Sequence, residues 1–491
     1  MLKIKNSSSI TIPIAAAAIG MALLTLPGIA QAQTDTDRIF RAGASTSNIT
    51  PAVGTSINGN FSDETVKHIH DETHVRCIVL DDGNTRLAIA VADLCMVSRA
   101  TLDNAKRRAA IVTRIPVENM LISATHTHSG GTACSVFQSD PDPGYLRFLE
   151  SRIADAVIRA NNNLAPARIG WGTGSEPGQV FNRRWKMKPG SPLINPFGNT
   201  DKVKMNPGIG NANLLEPAGP TDPGISVVSI QTLDGTPVAL LANYSLHYVG
   251  GVGKGEVSAD YYGMFANRIT QLLNADRKHN QFVAIMSNGA SGDVNNINFG
   301  AASSVSSPPY HQMQKVANII AAEVYKVVQQ IKYQNRVPLS VKQKQMELMV
   351  RKPDKTELAP AKTILSKVNK PVLTSVESLY ARETVLINDY PAEVSLILQA
   401  MRIGDLAITA IPCEVFAETG LEIKAKSPFK STFTISLANG YNGYLPTPAQ
   451  HQLGGYETWR ARSSYLETDA SVKITQSLFE MLDSLNKEKQ P

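Results

Sequence analysis

The apolar positions of this 491-residue chain fall into two kinds of run. Short continuous runs predict strands buried on both faces. They are "RLAIAVADLCMV" (86–97), "MLISA" (120–124), "FVAIMS" (282–287), "LAITAIPC" (406–413) and "FTISLA" (433–438). "ISVVSIQTLDGTPVALLANYSLH" (225–247) reads as a hairpin turning at Asp234-Gly235, and a second pair of strands turns at Gly404-Asp405. Longer segments repeat their apolar residues at helical spacing: 98–114, 144–164, 258–276, 311–331, one after Cys413 and a last one from about Thr468. Residues 173–224 are crowded with Gly, Pro and Asn and predict a long ordered loop. The Lys-rich stretch 333–380 shows no decisive period.

Strands and helices mix without strict alternation, and no repeat or linker interrupts them. The expectation is an α/β fold: one large mixed-sheet domain with flanking helices, spanning about 35–488. The N-terminus stands apart. Lys3 and Lys5 precede an apolar stretch from Ile10 to Leu26, which ends in Ala30-Gln31-Ala32. This is the pattern of a secretory signal peptide over residues 1–32, cut after Ala32. A membrane anchor is the alternative reading. No later segment carries 18 consecutive apolar residues, so the mature chain is expected to lack a transmembrane span and to be periplasmic or secreted.

Charge and cysteine content narrow the function. Lys and Arg number 48 against 42 Asp and Glu, a net +6 that the loss of Lys3 and Lys5 lowers further. Without a compact basic run, this excludes a nucleic-acid binder. Cys77, Cys95, Cys134 and Cys413 are too few for a disulfide scaffold and include no CxxC, although one or two bridges would be compatible with export.

Unusual polar residues cluster just after the apolar runs. "LISAT" leads into His126 and His128, "ALLANYSL" into His247, "FVAIMSN" into Asp293, "LAITAIPC" into Glu414, and "FTISLANG" into Tyr441 and Tyr444. In α/β folds such strand ends carry ligand sites. Along a strand, His126 and His128 would share a face. A His-x-His pair suits a metal site or ordinary hydrogen-bonded histidines equally. His247 alone is more often a satisfied polar residue. A carboxylate such as Glu414 among apolar neighbours calls for a partner. Two histidines with a carboxylate and an open position form a known catalytic zinc set. "SNGASGDVNNINFG" lacks an oxygen ligand at Ile297 for a calcium loop and reads otherwise as an Asn/Gly turn.

Eight segments, in order, resemble the N-terminal catalytic domain of the neutral, non-lysosomal ceramidases. They are "GASTSNITP", "HDETHVRCIVLDDG" with Arg76, "SATHTHSGG", "FNRR", "SLHYVGG…VSADYYG", "AIPCEVF" and "LANGYNGYLPTPAQHQLGGYE", with "SNGASGDV" between the fifth and sixth. The resemblance implies one catalytic zinc ion held by His126, His247, Glu414 and Tyr444. It implies His128, Arg183 and Tyr456 as the residues that hold and polarise a substrate carbonyl, and a zinc-activated water that cleaves an amide. Where the family carries a serine in "GDVSPN", this chain has Asn295, which can donate a hydrogen bond but cannot act as a nucleophile. "PGE" becomes "PCE", which places Cys413 beside a ligand. The chain stops about where the family's C-terminal β-sandwich would begin. The implied substrate is a small molecule, a lipid or a saccharide, and not necessarily ceramide. A zinc-dependent glycan-active enzyme and a non-catalytic binding protein are the competing readings.

Overall fold

The protein is described here from a computed structural model that covers residues 39–275, 282–303 and 307–488. The expected signal segment lies outside the described residues. The described residues form one compact unit.

Eight strands make the main sheet: β1 Arg41–Asn48, β2 His74–Asp81, β3 Arg86–Ala92, β4 Met120–Ala124, β5 Ala165–Ser175, β6 Gly224–Thr232, β7 Pro237–Tyr244 and β8 Val283–Asn288. Their order is β8-β7-β6-β5-β1-β2-β3-β4. The pairs β3/β4 and β7/β8 are parallel, and the others antiparallel. β1 and β5 share only the pairs Arg41↔Pro166 and Ala42↔Ala165. The sheet is almost divided there, and β8 packs against β2, β3 and β4 of the other half. A second sheet holds β9 Leu339–Met349, β10 Glu393–Ile403, β11 Leu406–Ala410 and β12 Ser431–Ile435, in that order.

Alternation along each strand sorts the side chains into layers. Ile78, Ile89 and Leu121 from one half-sheet, Ile169, Val228 and Ile285 from the other, and Met401, Ile408 and Phe433 from the second sheet share one core. The opposite faces bury themselves under helices. α1 Arg99–Thr113 and α2 Pro143–Asn162 share a cluster with Val75, Val79 and Ile122. α3 Asp260–Leu272 and α4 His311–Val328 pack with Val227, Leu240 and Met286. Four more long helices are α5 Lys355–Ser366, α6 Val376–Asn388, α7 Ala417–Lys426 and α8 Ala470–Lys487, and a short helical turn covers Pro448–Leu453. α8 packs with Leu396, Leu398 and Ala407 on the outer face of the second sheet. Burial on both faces is why these strands read as continuous apolar runs. Phe433 is fully buried, and its truncation to Ala would cost about 3–5 kcal/mol.

Helix starts follow local chemistry. Ser98 caps α1 through Thr101, and Asp142 caps α2 through the backbone N–H of Tyr145 at 2.7 Å, with Pro143 in the first turn. Three sequence expectations change. The run 86–97 is a strand only to Ala92, because Asp93 turns its carboxylate to Arg76 at 2.6 Å and to the backbone of His74 at 2.9 Å. The stretch 173–224 is not one loop: it holds a small sheet of Arg184–Met187, Val203–Met205 and Leu214–Pro217, strands too short to show a period. Residues 333–380 supply β9, α5 and part of α6. All four cysteines are free, and three of them are buried.

Candidate metal centre and active site

Two loops bring three imidazoles to one point. β4 ends at Ala124, and Thr125 and His126 donate backbone N–H groups to Ala92 and Leu94. His126 then takes a left-handed backbone (φ 77°), rare for a residue with a Cβ, and this turns the chain out of the sheet. His126 and His128 therefore do not share a strand face as the spacing suggested. A turn folds them together, with rings 4.7 Å apart and perpendicular. Gly59 (φ 119°) lies against the His128 ring, where a Cβ would come within 2.5 Å of Cγ, so any side chain there would displace the imidazole. On its other face His128 stacks on Tyr248 at 3.7 Å.

His247 leaves β7 and arrives from the other half-sheet. Its Nε2 is 3.0 Å from Nε2 of His126, and Nε2 of His128 is 3.2 Å from the same atom. His126 Nδ1 lies 2.7 Å from the carbonyl oxygen of Cys95, and His247 Nδ1 lies 3.1 Å from that of Ser291. A carbonyl can only accept, so each Nδ1 carries the proton and each Nε2 presents a lone pair inward. Glu414 follows β11 and points into the same space. Its Oε1 accepts from the Tyr441 hydroxyl at 2.9 Å. Its Oε2 is buried, accepts no hydrogen bond, and faces Nε2 of His126 at 3.3 Å and of His247 at 3.9 Å.

Buried lone pairs turned on one another beside a carboxylate oxygen without a donor are costly unless a cation lies among them. His126, His247 and Glu414 thus fit a metal ion, and their donor atoms all lie within 4.8 Å of one another. Nitrogen and oxygen donors in this number suit zinc. Burial opposes a proton on His126, but Cys95 and Glu414 beside it hold its proton affinity well above that of ordinary histidine. A metal ion would take that proton's place.

Tyr444 is brought beside Glu414 by a two-residue parallel ladder, Glu414↔Tyr444 and Val415↔Leu445. The Arg183 guanidinium lies over the Tyr444 ring at 5.4 Å, and the Tyr456 ring is 5.7 Å from it. Arg183 is almost fully buried and fixed from two sides: Nε donates to Glu457 at 2.8 Å and Nη2 to the carbonyl of Gly292 at 2.8 Å. Nη1 is left facing His247 Nε2 at 3.3 Å. Burial works against charge on Arg183, but Tyr444, Glu457 and Glu414 outweigh it. His128 is pushed the other way: burial, then His126 and Arg183, keep it neutral.

Sequence and fold identify this arrangement together. Residues 40–318 match the family described as neutral/alkaline non-lysosomal ceramidase, N-terminal. The chain belongs to that family. Two solved structures share its fold. One is the neutral ceramidase from Pseudomonas aeruginosa, with TM-score 0.70 and 19% identity over 92% of this chain and 75% of that one. The other is a ceramidase complexed with C2, with TM-score 0.67 and 17% identity over 92% of this chain and 76% of that one. The ceramidase family is one of amide-bond hydrolases, and among the described residues this member has no helix long and apolar enough to cross a membrane.

In this ceramidase-family site, seven of the eight residues singled out in the sequence come together: His126, His128, Arg183, His247, Glu414, Tyr444 and Tyr456. Asn295 is held in another contact. Its amide donates to Asn206 at 3.0 Å and its oxygen accepts from the backbone of Ile297 at 2.9 Å. Three further residues support these, and of them only Tyr441 had stood out, at the end of an apolar run. Tyr248 is the stacking partner of His128, Tyr441 holds the carboxylate, and Glu457 holds Arg183. Glu457 directly follows Tyr456 in the aromatic stretch "GGYETW" (454–459), and an acid placed there was the one available clue.

Proposed function

We propose that this protein is an exported, zinc-dependent amidohydrolase with a signal peptide ending at Ala32 and a catalytic domain over 35–488. The observation that carries the reading is the convergence of two inward Nε2 atoms, of His126 and His247, on a Glu414 carboxylate oxygen that has no donor. His126, His247, Glu414 and Tyr444 would hold the ion. When bound at such a set, zinc polarises a carbonyl and lowers the pKa of water toward neutrality.

The chain's own residues do the rest. Arg183 is fixed through Nε and Nη2, so Nη1 is free to donate to the oxygen of an amide carbonyl as it gains negative charge. The aromatic ring of Tyr456 closes the same space and brings a second donor in its hydroxyl. His128 is neutral and turns its Nε2 to the cluster, 3.2 Å from Nε2 of His126. It can take a proton from the attacking water and return it to the departing nitrogen. Asn295 orients its loop through Asn206 and leaves the nucleophile to water.

Purified protein should contain one zinc ion per chain by elemental analysis and should hydrolyse N-acyl amides. Chelation should stop turnover, and zinc should restore it. Full activity after complete removal of metal would sink the reading.

A further inference from the structure

Two cavities, one largely apolar and one mixed with several polar groups, flank the metal cluster, and one short segment of chain lines both. Gly59 lies against His128 at the cluster. Its neighbour Asn60 lines a cavity of about 190 Å³, and Phe61 lines another of about 200 Å³. The first shares His128 with the cluster, and the second shares Tyr456. A substrate with its carbonyl at the cluster therefore has one arm on each side.

The cavity on the Tyr456 side is apolar. Phe61, Ile194, Val203, Met205, Val376 and Trp459 form its walls. Its loop wall is pinned, since Trp459 Nε1 donates to Asp201 at 2.7 Å, and Asp201 also accepts from Asn195 at 2.9 Å. This space holds an alkyl tail of several carbons and opens to solvent. The cavity on the His128 side is mixed, with Ile57 and Val252 beside its polar groups. Asn60, Glu64, Ser129, Lys254 and Glu256 surround a floor made by His128 stacked on Tyr248. The Gly250–Gly255 loop closes it, held by Asp260, which accepts from the backbone of Val249 and Gly250 at 3.0 and 2.9 Å. Two carboxylates repel an anionic head. An alkyl chain would desolvate every charge there without replacing a hydrogen bond. A head bearing several hydroxyls donates to the carboxylates and accepts from the lysine and the amide.

We infer that the substrate is a medium-chain N-acyl derivative of a compact, polyhydroxylated amine, with its acyl tail against Trp459 and its head between Glu64 and Lys254. The inference rests on the amidohydrolase reading. The reaction adds water across the C–N bond: the carbonyl carbon gains the oxygen, and the nitrogen takes a proton and leaves as an amine.

The zinc-loaded protein is assayed on octanoyl and palmitoyl amides of glucamine, hexylamine and sphingosine. The octanoyl glucamide should show kcat/KM at least about tenfold above octanoyl hexylamide and palmitoyl sphingosine. Val376→Trp should lower kcat/KM for the octanoyl amide and spare an acetyl amide. Glu64→Gln should raise KM for the glucamide and not for the hexylamide. Binding is measured separately in His126→Ala, where octanoyl glucamide should change Trp459 fluorescence and a Trp459→Phe version should be silent. Equal or better cleavage of palmitoyl sphingosine would overturn the substrate assignment and leave the hydrolase reading standing. Cleavage of no amide, with no binding by His126→Ala, would overturn both.

Discussion

Glu457 gives the sharpest test of how the scaffold supports the site. Its carboxylate is fully buried and bridges two arginines, donating nothing and accepting from Arg183 Nε at 2.8 Å and from Arg184 Nη1 at 2.6 Å. Glu457→Gln keeps the volume but removes the charge, leaving two buried guanidinium groups with no carboxylate. Breaking a buried pair in this way costs about 3–5 kcal/mol. Arg184 keeps its bonds to Gln450 and to the carbonyl of Gly454, so most of the disorder should fall on Arg183. If Arg183 is the carbonyl donor, loss of its fixed position should lower kcat by about 10²–10³. Urea unfolding should therefore show the stability loss, while zinc content stays at one ion per chain and kcat falls more than KM rises. The acid limb supplies an independent check. Burial alone would raise the Glu457 carboxyl, but Arg184 and Arg183 hold it below the usual range. A folded value below the unfolded one means stability that is present above about pH 4.3 and lost as pH falls through the folded value. That acid-dependent loss should be weaker in Glu457→Gln. A variant within about 1 kcal/mol of the parent, with unchanged kcat, would refute the argument that Glu457 fixes Arg183.

Other outcomes follow from the same geometry. His126→Ala should abolish zinc binding and turnover together, whereas His128→Ala should keep zinc and lose most activity; equal zinc loss in both would mean the roles are reversed. Asn295→Ala should keep zinc and slow turnover on the order of 100-fold or less, since it loses hydrogen bonds and no nucleophile; complete inactivity would make Asn295 indispensable to the chemistry. Burial raises Asp293 to about 6 despite hydrogen bonds from Ala417 and Asn182 and the nearby Arg184. Its folded value exceeds the unfolded one of about 3.9, so stability falls as pH rises from about 4 to 6, by roughly 3 kcal/mol in all. Unfolding titrations should show this slope in the parent and not in Asp293→Asn.

The sequence alone determined the buried strands and the helices over them, because a strand covered on both faces leaves an unbroken apolar run and a helix leaves a 3.6-residue period. It also marked candidate site residues, because polar groups such as His126, His247 and Glu414 stand out where an apolar run stops. Resemblance added Arg183 and Tyr456, whose settings show no period, and gave Tyr444 its place in the ligand set. The short strands within 184–217 stayed hidden because three or four residues cannot display alternation, and β9 because its outward positions are long and polar. Only the tertiary structure decided the site itself. The sheet brings His126 and His247 within 3.0 Å across 121 residues of chain, and a left-handed turn, rather than strand pleating, sets His126 against His128. It alone gave Glu457, Tyr248 and Tyr441 their tasks, since each acts through a contact with a residue distant in sequence or folded back by a turn. A sequence records which groups need partners, and the partner is fixed only when the fold removes water and leaves one neighbour within reach.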